Sequence, residues 1–156
     1  SPRWGRLVDA SRIGMAGHSV GGASTLPAMV GDDRVKAGVD IDGTTHVTLT
    51  PPGLSRPFMF VSHQHAATRC ASGDDNWEAN WERLTGWRRW IEVAGTQHPS
   101  FTDVGLIGDQ VGFDYGATLS AERTQAVTRA YVNGFFDEHL LGRSSSVAEP
   151  EVMDCA

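Results

Sequence analysis

Short apolar runs recur along the chain, separated by polar or glycine-rich turns and by segments with helical spacing. Residues 12–16, 35–41, 57–62 and 89–94 read as strands, each bounded by polar or turn residues. Between and after them lie helical stretches. Residues 20–29 form a short helix that tolerates Gly21 and Gly22 early and kinks at Pro27. Residues 76–84 carry Trp77, Trp81 and Leu84 at i, i+4 and i+7, one face of a helix capped by Asp74 or Asp75. Ser120 caps the longest helix, whose buried face holds Val127, Tyr131 and Phe135 and which Gly142 ends. Strand alternating with helix implies a mostly parallel sheet with helices on its faces, an α/β fold.

Two segments resist this reading. Residues 99–118 carry Gly105, Gly108, Gly112 and Gly116 with no clear period, and a loop of that length is usually functional or mobile. Residues 143–156 are serine-rich and acidic and read as a loose, flexible tail, leaving 1–142 as the folded unit. The four clustered tryptophans, Trp77, Trp81, Trp87 and Trp90, fit core aromatics better than a lipid-contacting surface.

Composition narrows the function. Apolar residues at 40% suffice for a packed core, and a net charge of −6 lacks the basic face of a nucleic-acid binder. No apolar run approaches the ~20 residues of a membrane span. The start, Ser1-Pro2-Arg3-Trp4-Gly5, is neither a signal peptide nor an initiator sequence and reads as a mature or cut product, so the compartment stays open, secretion included. Two cysteines, Cys70 and Cys155, permit one disulfide without requiring it. Cys70 with His63 and His65 could suggest a metal site, but no second ligand group follows at a familiar spacing, and a polar loop rim is the simpler reading. No metal and no cofactor are expected.

The chemistry concentrates at Gly17-His18-Ser19-Val20-Gly21. This G-x-S-x-G pattern follows a strand and opens a helix, the context a nucleophile elbow needs. The sharp turn strains the backbone at the serine, and flanking glycines remove bulk where the chain crowds itself. The hydroxyl then projects at a helix N-terminus, and the Val20 backbone N–H can donate to a developing oxyanion. His18, one position away on a tight turn, points elsewhere and reads as packing. The base should come late in the chain, and His98, a short turn after the strand ending at Ala94, fits. His46 and His63 also lie near strand ends, and His139 reads as a solvated residue near the end of the last helix.

Taken together, Gly17-His18-Ser19-Val20-Gly21-Gly22-Ala23-Ser24, Val39-Asp40-Ile41-Asp42-Gly43, Arg56-Pro57-Phe58-Met59-Phe60-Val61 and the stretch from Gly95 to Asp103 resemble the platelet-activating-factor acetylhydrolase family. More loosely they are similar to secreted bacterial lipases and polyester hydrolases of the same α/β-hydrolase fold. The resemblance runs from about Val8 to Leu141. It implies Ser19 as nucleophile, Asp42 as orienting acid and His98 as base, acting on a small-molecule ester of short or medium acyl chain, phospholipid-like or otherwise. It also implies a gap. The chain starts at the strand before the elbow, so the earlier strands and the loop carrying a second oxyanion N–H are expected from an N-terminal half of the same domain. This chain would then be the C-terminal half.

The acid can also be argued from position. The strand at 57–62 is followed by His63, Gln64, His65 and Ala66, with no carboxylate. Asp74 and Asp75 serve a helix cap. Asp42 ends its strand at the same sheet edge as Ser19, whereas Asp40 lies deeper. A peptidase or thioesterase using the same three residues, or a non-catalytic hydrolase-like interaction domain, are the alternatives; the presence of all three residue types in order disfavours the last.

Overall fold

Four parallel strands in sequence order carry the architecture of this computed structural model, which describes residues 7–64 and 75–155. They are β1 (Ile13–His18), β2 (Val35–Ile41), β3 (Phe58–His63) and β4 (Arg88–Val93), and β5 (Val152–Asp154) adds an antiparallel edge against β4. Helices α1 (Val20–Ala23), α2 (Thr25–Gly31), α3 (Asp75–Trp81), α4 (Val104–Val111) and α5 (Ala121–Leu141) fill the connections, with a 3₁₀ turn at His98–Phe101.

The strands form because alternate side chains feed two separate cores. Phe58, Phe60 and Trp90 point to one face and pack with Leu26, Met29, Trp77 and Leu84 from α2, α3 and the residues after α3. Met59, Val61, Ile91 and Val93 point to the other and pack with Val127, Tyr131 and Phe135 of α5. A strand buried on both faces reads as a continuous apolar run, as β3 does, whereas β2 shows Val35, Ala37, Val39 and Ile41 alternating with Lys36, Gly38 and Asp40. Each large apolar side chain removed from water contributes about 1.5–3 kcal/mol. The aromatic set is tightly joined: the Phe60 and Trp77 rings lie 4.4 Å apart and the Trp77 and Trp90 rings 5.5 Å. Trp87 lies instead on the α5 side, exposed rather than in the core, with its ring against Phe135 and His139.

Several expectations need correction. The helix after the elbow breaks at Ser24, not at Pro27; Pro27 sits in the first turn of α2, where its missing N–H costs no hydrogen bond. The 99–118 stretch is not one long loop, since it holds the 3₁₀ turn and α4. Residues 143–156 are not wholly a loose tail. β5 pairs with β4, Arg89 bridges to Asp154 at 2.6 Å, and Arg123 of α5 holds both Glu149 and Glu151. Cys155 is disulfide-bonded; Cys70, like His65 and Asp74, lies outside the described residues. The expected ends of α5 hold: the Ser120 hydroxyl accepts from the Arg123 amide, and Gly142 closes the helix in the left-handed region at φ 67°. Among the described residues no helix is long and apolar enough to cross a membrane.

Candidate active site

Parallel pairing brings the C-terminal ends of β1 to β4 to one edge, and each strand delivers one polar side chain there. β1 runs into Ser19, β2 into Asp42, β3 ends on His63, and β4 leads through a turn at Gly95 to His98. Hydrogen bonds between strand ends fix the spacing: the Ser19 amide donates to the Ile41 carbonyl at 2.9 Å, and the Asp42 amide to the Val61 carbonyl at 2.8 Å.

Ser19 (φ 57°) and Asp42 (φ 55°) are the two non-glycine residues with positive φ among the described residues. Such a conformation costs of order 1–3 kcal/mol and persists only where surroundings enforce it. At Ser19 the enforcement is close contact between the strand and α1. A Cβ on Gly17 would lie 2.3 Å from the Gly21 carbonyl carbon, and one on Gly22 would lie 2.1 Å from Asp40 Oδ1. Only glycine lets β1 and α1 approach that closely. Asp40 is fully buried and braces the next turn, accepting from the Gly43 amide at 3.0 Å and the Thr45 hydroxyl at 3.1 Å.

The side chains meet in a line. The Ser19 hydroxyl donates to His98 Nε2 at 3.0 Å, and His98 Nδ1–H donates to Asp42 Oδ2 at 2.6 Å. Asp42 also accepts from the His63 amide at 3.0 Å and from His63 Nδ1–H, which lies 2.8 Å from Oδ1 and 2.7 Å from Oδ2. Burial works to raise the Asp42 carboxyl, but the hydrogen bonds from His63 outweigh it and hold the group below its ordinary value. The acid is therefore ionised at neutral pH.

His18 does not point away, as its position on the elbow suggests. Its ring lies 4.6 Å from the His98 ring, and its Nε2–H donates to the His98 carbonyl at 2.9 Å. Burial, reinforced by the neighbouring His98, holds His18 below the ordinary imidazole value, so it stays neutral. Neither this contact nor the double role of His63 is legible in the sequence, because both depend on strand register. His139 is also not the solvated residue expected: its ring packs against Trp87 and Phe135, and its Nε2 is buried with no hydrogen-bond partner among the described residues.

A cleft of about 580 Å³ opens over these groups, lined by Ser19, Val20, Pro27, Thr44, His46 and His98 among others. His18, Asp42 and His98 bring potential ligand atoms within 4.8 Å of one another. A cation there would have to displace the Asp42–His98 bond, so the cluster suits proton transfer better than metal binding.

A solved structure, a ferulic acid esterase from Streptomyces cinnamoneus, superposes over 96% of this chain with a TM-score of 0.84 and 39% identity. The chain forms part of an α/β-hydrolase fold. A curated relative from Arthroderma benhamiae, named a probable 1-alkyl-2-acetylglycerophosphocholine esterase, is 29% identical over 155 residues and matches 88% of this chain. Both agree with the resemblance to an esterase of the α/β-hydrolase type. The chain spans 40% of the length of that relative and 48% of the solved esterase. No family model matches it.

Proposed function

We propose that the protein carrying this chain is a serine carboxylic-ester hydrolase in which Ser19, His98 and Asp42 act as a catalytic triad. The observation that supports it most is His98 bonded at both ends of its ring, Nε2 to Ser19 at 3.0 Å and Nδ1 to Asp42 at 2.6 Å. In this reading Ser19 Oγ attacks the acyl carbonyl carbon while its proton passes to His98 Nε2. The Val20 amide, at the start of α1, donates to the oxyanion. His98 then protonates the departing alcohol, leaving an acyl-Ser19 ester. Water attacks that ester and gives its proton to His98; the bond from the acyl carbon to Ser19 Oγ then breaks as His98 returns the proton to Ser19, and the carboxylic acid leaves. Asp42 fixes the Nδ1–H tautomer and stabilises the imidazolium in both steps. No cofactor enters.

The small polar and apolar lining of the cleft suits a short- or medium-chain acyl group, and the esterase names of the relatives support esters as the substrate class. We further propose that this chain, through β5 rather than only to residue 142, is the C-terminal half of one hydrolase domain. An N-terminal half, such as the longer relatives have room for, would cover the outer edge of β1 and supply the second oxyanion donor.

The test is hydrolysis of p-nitrophenyl acetate by the full-length protein and its Ser19→Ala variant. Loss of at least ~10³ in kcat with an unchanged melting temperature is expected; residual activity above ~1% would overturn the nucleophile assignment.

A further inference from the structure

We infer that His63 is a positioning residue for the proposed triad: its ring and its backbone amide together fix the Asp42 carboxylate in the orientation that serves His98. The inference rests on the triad reading above.

The geometry carries it. The Asp42 backbone amide donates to β3 at Val61, and the end of β3 returns two donors to the Asp42 side chain, the His63 amide and the His63 ring. The amide reaches Oδ1 at 3.0 Å, while the ring Nδ1–H is shared between Oδ1 at 2.8 Å and Oδ2 at 2.7 Å. Oδ2 is the oxygen that His98 Nδ1–H meets at 2.6 Å. One carboxylate therefore bridges two imidazoles, whose centroids lie 6.3 Å apart with planes at 75°. The Asp42 side chain is 6% exposed and the His63 side chain 18%, against 47% for His98. His63 thus sits beneath the cleft rather than in its lining, and its route to the reacting atoms runs through Asp42. With the ring donor gone, one amide at Oδ1 remains on the β3 side to resist rotation of the carboxylate about its Cβ–Cγ bond. Rotation moves Oδ2 away from His98, and misplacement by about 1 Å can cost ~10² in rate.

A buried partner that merely satisfies Asp42 would affect stability alone. Positioning makes a sharper demand, namely a donor at the place of Nδ1. In His63→Asn the side-chain amide nitrogen stands at that distance from the backbone, whereas in His63→Gln it reaches the place of Nε2 instead. The experiment is steady-state hydrolysis of p-nitrophenyl acetate by the full-length protein, with His63→Ala, His63→Asn, His63→Gln and Ser19→Ala compared at pH 8 and melting temperatures recorded. For His63→Ala, kcat is expected to fall by ~10–100-fold with KM within about threefold. His63→Asn should recover to within about fivefold of the parent, and His63→Gln should not. Should His63→Ala fail to fold, the contrast between His63→Asn and His63→Gln decides alone. Equal kcat for those two variants, or a parental kcat in His63→Ala while Ser19→Ala is inactive, overturns the role of His63 and leaves the triad standing. Activity that survives Ser19→Ala overturns the triad reading, and the inference with it.

Discussion

Asp42→Asn replaces one oxygen by an NH₂, and the surrounding donors dictate which way the new amide must face. Oδ1 meets the His63 backbone N–H at 3.0 Å, a donor that has no alternative tautomer. Placing an NH₂ there would set two donors head to head beside a buried group, at a cost of about 1–3 kcal/mol. The oxygen of the new amide therefore takes the Oδ1 place and its NH₂ takes the Oδ2 place, facing His98 Nδ1 at what was a 2.6 Å contact. His98 can meet that NH₂ only by accepting at Nδ1, which moves its proton to Nε2. The nitrogen that should take the Ser19 proton, 3.0 Å away, is then already protonated. In the serine-protease template a wrong tautomer of this kind lowers kcat by ~10⁴. Here a loss of ~10³–10⁴ in kcat is expected, about 4–5.5 kcal/mol of barrier, with KM little changed. The assay is p-nitrophenyl acetate hydrolysis by the full-length protein, alongside thermal unfolding to show that the variant is folded. A folded variant within tenfold of the parent kcat contradicts the argument, as does a structure with His98 Nδ1–H still donating to residue 42.

Gly17→Ala should be severe for a different reason. Its Cβ would meet backbone atoms of Gly21 and Gly22 at 2.3–2.7 Å, so β1 and α1 must separate; a loss of about 2–3 kcal/mol in stability and at least ~10-fold in kcat is expected from thermal unfolding and hydrolysis, and parental values in both would contradict the close-approach account. Stability should also fall on acidification from about pH 6.5. Burial, with His98 adding for His18, holds His18 and His139 below their ordinary value in the folded chain. The unfolded chain then binds protons near pH 6.5 that the folded chain does not, so stability is full above that value and declines below it. Asp42, held below 3.8, adds a further loss of the same sign at lower pH. Melting temperatures at pH 7.5 and pH 5.5 check this, and an equal or higher value at pH 5.5 contradicts it.

What could be read from the sequence follows from how each element is buried. β2 lies between two parallel neighbours and two apolar layers, so Val35–Ile41 announced itself to the residue. α4 did not, because its pattern is inverted: its buried positions are Gly105 and Gly108, pressed against Tyr115 and Phe113, while Val104, Ile107 and Val111 are exposed. A search for apolar periodicity sees only glycines and a loop. β5 is three residues long and is held by Arg89 and by pairing to β4 rather than by an apolar run. At the site, Ser19, His98 and Asp42 were reachable because strand ends of a parallel sheet share one edge. His63 and His18 were not, since the side chain each strand end meets depends on register: Asp42 reaches His63 because its own amide pairs with Val61.

The central claim is that Ser19 is a nucleophile activated by His98, and covalent labelling tests it most directly. The full-length protein is treated with a fluorophosphonate, digested, and the modified residue located by mass spectrometry. One phosphonyl group per chain on Ser19 is expected, absent in Ser19→Ala and slowed by at least ~10²-fold in His98→Ala. Labelling on another residue, or on Ser19 at the same rate without His98, would contradict the account.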